Sequence, residues 1–218
     1  MRQEPSAATF FNGFADTFDT IYDEKRNAFM RWVDCTFRSD MFIRYTLTFD
    51  ALDNIRGQSI VDIGCGSGPY ITEALKRGAS LVTGIDPAPN MLTLGRLRVR
   101  NSGFADERCI LVEDKFPGAP VTPHDHAIVM GVMDYVEDAA SFLTALKPVV
   151  RRSAVISFPS KHWFRTPFRR VRYRLRRCPV YFYTESDIER LCKAAGFRSV
   201  EVRKIPGAGM DYHVCVKP

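Results

Sequence analysis

"VDIGCGSGPYITEALKRG", residues 61–78, is the stretch whose reading decides the fold. An apolar run ends at Asp62, glycines follow at every second position (Gly64, Gly66, Gly68), and a helix-like segment opens at Pro69. Pro69 suits the first turn of a helix, where no N–H is needed, and Gly78 suits a helix end. Glycine at a strand-to-helix bend lets the backbone approach a ligand with no Cβ in the way. Two readings of such a bend fail here. The dinucleotide fingerprint GxGxxG would need glycine at the position of Pro69. A phosphate loop would need Lys and then Ser or Thr after its glycines, and Pro69-Tyr70 supplies neither.

Working outward, "SIVDIG" (59–64), "LVTGID" (81–86), "CILVE" (109–113), "HAIVMG" (126–131) and "SAVISFP" (153–159) are apolar runs that read as buried strands. "PNMLTLGRLRVRN" and "DAASFLTALKPV" read as helices between them. Continuous apolar strands separated by amphipathic helices predict a parallel sheet covered on both faces. Near the C-terminus "TESDIERLCKAAGF" predicts a helix with a Thr184/Asp187 capping box and Gly196 at its end. Strands around 198–204 and 211–216, joined by the short "PGAG", predict an antiparallel hairpin at the sheet edge. Residues 6–56 read as helical, with aromatics at spacings of three and four.

The 218 residues and 45% hydrophobic content suit one α/β domain with a sizeable core. The layout predicts an N-terminal helical cap over 1–57 and a main domain over 58–218, with a basic lid inserted at 160–180. Six scattered cysteines without a CxxC read as reduced thiols. No apolar run reaches spanning length, and the first residues carry acids where a signal peptide needs an apolar core, which predicts a soluble cytoplasmic protein. His124 and His126 flank Asp125 but lack a third ligand, so no metal site is expected.

Charge is unevenly placed. The net +6 comes from one segment: Ala139 to Thr184 holds eleven Lys or Arg and no acid, leaving 20 bases against 25 acids elsewhere. Its densest part, "RTPFRRVRYRLRR", puts seven arginines into residues 165–177. Helix punctuation at Thr166, Pro167 and Pro179, with Phe168, Val171 and Leu175 as a narrow apolar stripe, predicts a docked lid helix. Arg165, Arg169 and Arg172 are candidate substrate contacts. Three partners suit this charge, in order: an anionic small molecule gripped by arginine forks, a membrane surface or lipid-borne substrate, and nucleic acid. Nucleic acid ranks last because no recognised binding module accompanies the patch. The sequence carries no reading of oligomeric state.

The bend itself reads Asp-x-Gly-x-Gly-x-Gly, which resembles motif I of the class I S-adenosylmethionine-dependent methyltransferases. "VTGIDPAPNML" is similar to that family's second-strand motif, with its acid at Asp86, and "HAIVMGVMDYVEDAASFLTAL" to its fourth strand and following helix. The resemblance covers roughly residues 58–159. It implies a Rossmann-like, doubly wound, seven-stranded and mostly parallel sheet. The C-terminal third is loosely similar to magnesium-protoporphyrin methyltransferases.

The resemblance also implies S-adenosylmethionine as cofactor and S-adenosylhomocysteine as product. Asp86 would accept the ribose hydroxyls. Gly64, Gly66 and Gly68 would lie along the methionine part, with Asp62 meeting its ammonium. Ile85, Pro87 and Met91 would sandwich the adenine, Asp114 (or its neighbour Glu113) would face the adenine amine, and Tyr22 would cover the cofactor from an N-terminal helix. Methyl transfer needs an aligned nucleophile and a group to take its proton. Candidates beyond the fourth and fifth strands are His162, whose ordinary pKa lies near neutrality, and Asp134 and Tyr135. Each has a plainer reading: a surface histidine, a helix entry and a core aromatic. A catalytically silent regulatory protein and an RNA methyltransferase are the alternative functions.

Overall fold

The computed structural model describes residues 43–52, 54–161, 180–205 and 211–218. Tyr22, His162, Arg165, Arg169 and Arg172 lie outside these, as do most of the expected cap and lid. A helix over 43–51 (α1) is followed by β1 (Ser59–Ile63), α2 (Pro69–Lys76), β2 (Leu81–Ile85) and α3 (Pro89–Asn101). Then come β3 (Cys109–Val112), β4 (His124–Val129), α4 (Ala139–Leu146), β5 (Val150–Phe158), α5 (Glu185–Ala194), β6 (Ser199–Lys204) and β7 (Tyr212–Lys217). The strands form one seven-stranded sheet in the order β3-β2-β1-β4-β5-β7-β6. The first five are parallel; β7 runs antiparallel to both β5 and β6.

Each face of the sheet has its own apolar layer. Phe49 of α1 and Leu52 just after it, Ile71 and Leu75 of α2, and Leu92 and Val99 of α3 pack on Ile60, Ile128 and Val155. On the other face Phe142, Leu143 and Leu146 of α4 and Ile188 and Cys192 of α5 pack on Val61, Ala127, Ile156 and Val214. Alternate residues of one strand thus serve opposite layers, which is why the strands read as unbroken apolar runs. Burying each such aliphatic side chain stabilises the fold by about 1.5–3 kcal/mol.

Several strand boundaries differ from the sequence expectation. β4 begins at His124 and β5 at Val150, both earlier than their apolar runs suggest. Polar residues start β4 because their side chains are satisfied: His124 bonds Thr83 Oγ1 (2.9 Å) and the Thr122 carbonyl (2.7 Å). His126 bonds Ser153 Oγ (2.7 Å) and the Gln58 side chain. Between the two histidines, Asp125 accepts from the Ser59 N–H and hydroxyl (2.9 and 2.8 Å). These histidines are buried structural links, and among the described residues no metal-binding cluster occurs.

Helix ends follow the sequence signals more closely. α2 starts at Pro69 behind a left-handed Gly68 (φ 73°). At α5 the Thr184 side chain takes the Asp187 N–H while the Asp187 carboxylate takes the Thr184 N–H, the reciprocal cap the sequence predicts.

Candidate cofactor and acceptor site

The carboxyl ends of β1, β2 and β3 converge at the glycine bend. The N–H groups of Gly64 and Cys65 both donate to the Ile85 carbonyl (2.8 and 3.1 Å), and the Asp86 N–H donates to Val112 (3.1 Å). The chain therefore turns away from β1 with Asp62 on the last paired stretch and Asp86 beside the bend. Asp86 Oδ2 accepts from the Gly66 N–H (2.9 Å) and Oδ1 from the Ala88 N–H (2.9 Å). Each oxygen keeps a second lone pair. Arg98 of α3 ties the bend down from outside, its Nε donating to the Ser67 carbonyl (2.8 Å).

The three glycines of the bend have different reasons to be glycine. Gly64 (φ 72°) has Val132 Cγ2 only 2.3 Å from where a Cβ would sit, so the loop after β4 fills that space. Gly66 (φ 52°) has nothing within 4 Å of that point. Gly68 begins α2. The open space lies over Gly66, whose N–H bonds Asp86, whereas Gly64 is already required to be glycine by the protein's own packing. Gly84 in β2 was not anticipated by the motif reading: a Cβ there would meet Ile71 Cδ1 at 2.5 Å and Leu111 Cδ2 at 2.8 Å, so it sets how closely α2 approaches the sheet.

The electrostatics of the bend are unusual. Asp62 is 1% exposed and its Oδ2 has no hydrogen-bond partner. Burial, then the neighbouring Asp86, push its carboxyl up to about 8. Burial also raises Asp86, though the N–H groups of Ala88 and Gly66 counteract it. An orphaned buried carboxylate beside an open glycine suits a ligand that brings both a cation and hydroxyl donors. The ammonium and ribose hydroxyls of S-adenosylmethionine fit that set.

Of the other expected cofactor contacts, Pro87 is exposed, Ile85 is buried in the main core, and Met91 is 4% exposed in a small cluster with Ala88 and Leu94. Glu113 is exposed and Asp114 half-buried, its Oδ1 accepting the Lys115 N–H at 2.7 Å.

Past β4, Asp134 and Tyr135 lie half-buried in a loop. The Asp134 carbonyl accepts the Tyr181 N–H (2.9 Å), and Tyr183 bridges to Ser160 at the end of β5. Burial, then Asp134, push the Tyr183 hydroxyl up to about 12. Beside these tyrosines an open cleft of about 490 Å³ is lined by Glu137, Asp138, Val180, Tyr181, Phe182 and Leu191, among others. Neither Asp62 nor Asp86 lines it. The sequence assigns Tyr181 and Tyr183 no site role, although the aromatic run "VYFYT" stands just before the capping box.

A third group joins distant parts of the chain. Arg44 of α1 pairs with Asp211 at the start of β7 (2.6 Å), and Asp211 Oδ1 also accepts the Ser160 N–H (3.3 Å). Beside it Tyr45 and Phe49 of α1 pack on Tyr70 of α2, with ring centroids 5.4 and 6.1 Å apart. No motif carries these partners; the fold alone brings them together.

Comparison with known proteins bears on the family and the fold. Residues 37–202 match a family model described as a methyltransferase domain. A ubiquinone biosynthesis O-methyltransferase of Neisseria meningitidis serogroup C (strain 053442) is 29% identical over 185 residues, 77% of this chain and 74% of that protein. The crystal structure of magnesium protoporphyrin IX methyltransferase from Synechocystis PCC 6803 with bound SAH superposes with a TM-score of 0.74 at 20% identity, covering 96% of each chain. An S-adenosylmethionine-dependent methyltransferase from Mesorhizobium loti gives a TM-score of 0.68 at 18% identity, over 81% of this chain and 98% of that one.

Proposed function

Because this chain belongs to the methyltransferase-domain family and is a class I S-adenosylmethionine-dependent methyltransferase, we propose that it transfers methyl to an oxygen of an anionic small molecule. The observation that carries the cofactor half is the paired carboxylates, Asp62 and Asp86, set around the open Gly66. Bound S-adenosylmethionine supplies a methyl carbon already activated by positive sulfur. Asp86 takes the ribose hydroxyls on its remaining lone pairs while its backbone bonds hold the bend in shape. Asp62 faces the ammonium. Pro87, Met91 and Asp114 border the adenine.

The acceptor half rests on sequence and on the relatives. The relative from Neisseria is named for O-methyl transfer, which supports oxygen as the acceptor atom. Arg165, Arg169 and Arg172 supply guanidinium forks for a carboxylate or phosphate. Asp134, Tyr135 and His162 are the candidates for orienting the nucleophile and taking its proton. No helix among the described residues is long and apolar enough to cross a membrane.

Calorimetry with S-adenosylmethionine and S-adenosylhomocysteine tests the cofactor half, and binding of neither at millimolar concentration would overturn it. A labelled-methyl screen over anionic metabolites, lipid extracts and RNA tests the acceptor half. Label on an oxygen of a small anion supports it; label confined to RNA refutes it.

A further inference from the structure

Asp62 is built as though it were never meant to carry its charge alone. It is 1% exposed, one of its oxygens has no partner, and it pairs in the sheet between Gly84 and Ile128, neither of which offers a polar side chain. The titratable groups acting with it are Asp86 at the end of β2, Cys65 in the bend and Tyr70 on α2, all acidic. Arg44 on α1 is paired with Asp211 and acts on Tyr70. Among the described residues no cation therefore faces Asp62. A bare carboxylate in that position, beside a second one, is strongly disfavoured.

We propose that the cofactor-free protein keeps Asp62 protonated, and that it binds its cofactor by exchange: Asp62 gives this proton to solvent as the ligand's ammonium takes its place. The inference rests on the glycine bend being the cofactor site. The step balances simply: one O–H bond of the carboxylic acid breaks, buffer takes the proton, and the carboxylate left behind is paired with the incoming cation. Asp62 thereby selects for a charged amino-acid arm, because a ligand without one gains nothing from displacing the proton. Burial pushes the Asp62 carboxyl up to about 8, so the exchange operates through the neutral range.

The test is proton inventory, which needs no turnover. Binding of S-adenosylhomocysteine is measured calorimetrically at about pH 6.5 in buffers of different ionisation enthalpy, with 5′-methylthioadenosine as a ligand lacking the amino-acid arm. Release of about one proton with the former and none with the latter is expected, with affinity for the former rising about tenfold per pH unit below the carboxyl's pKa. Infrared spectra should show a carboxylic-acid C=O band that disappears on binding and is missing in Asp62→Asn. Tight binding without proton release, or with the band absent from the free protein, would overturn the exchange and leave the site standing. Failure of S-adenosylhomocysteine to bind at all would instead overturn the site assignment.

Discussion

Gly64 and Gly66 stand two residues apart in one motif, yet their surroundings predict opposite phenotypes. Gly66→Ala meets no atom within 4 Å and should cost only the left-handed backbone penalty, about 1–2 kcal/mol, while placing a methyl in the open approach. The expected result is a small drop in melting temperature with a large loss of S-adenosylhomocysteine binding in calorimetry. Gly64→Ala adds a collision with Val132 to the same penalty, about 2–4 kcal/mol in all, and should melt well below the parent. Adding Val132→Ala should recover part of that loss. Asp86→Ala should weaken S-adenosylhomocysteine about 10–100-fold, as expected for losing hydrogen bonds to a charged group. The motif itself was legible in the sequence because its residue types are chemically forced. What the letters could not tell was which glycine faces open space and which faces Val132, since that depends on a loop about 70 residues further along the chain.

Among the elements, helices were read well and strand starts less so. Caps are local chemistry: the Thr184 and Asp187 side chains bond each other's backbone within one turn, so four letters suffice. Thr184→Ala should cost about 1 kcal/mol, seen as a lower urea midpoint, with no change in S-adenosylhomocysteine affinity. β4 defeats the apolar-run criterion because His124, Asp125 and His126 are polar and nonetheless belong to the sheet. Their partners, Thr83, Gln58, Ser59 and Ser153, come from other strands or their flanks and are not written nearby. The arginine-rich segment is tested by function: Arg169→Gln with Arg172→Gln should raise KM for an anionic acceptor several-fold and leave cofactor affinity unchanged. An unchanged KM would remove those residues from the acceptor site.

Across the whole molecule, buried titrating groups pull stability in opposite directions with pH. Burial lowers the pKa of His124, His126 and His213, the last to about 4. Folding therefore resists their protonation, and the stability they permit is lost as pH falls below the ordinary value of 6.5. Asp62 acts the other way. Its folded pKa of about 8 exceeds the ordinary 3.8, so the cofactor-free protein loses stability as pH rises through that window. Urea midpoints across pH should show a maximum at mildly acid pH, and Asp62→Asn should raise the midpoint most at the alkaline side. A variant no more stable than the parent there would mean that Asp62 is not strained. Composition and alternation revealed the layered sheet, because period and apolarity follow from burial on both faces. The junction of Arg44 with Asp211 and Ser160 was invisible, because it joins residues 167 positions apart and shows no local pattern.

The touch between Val132 and Gly64 has a practical side for anyone who would redesign this catalyst. Grafting residues 131–136 from a relative would swap the neighbour of Gly64 along with Asp134 and Tyr135. A bulkier newcomer at 132 would shoulder the glycine bend aside, so a chimera would lose the shape of that bend whatever its new loop was chosen to recognise.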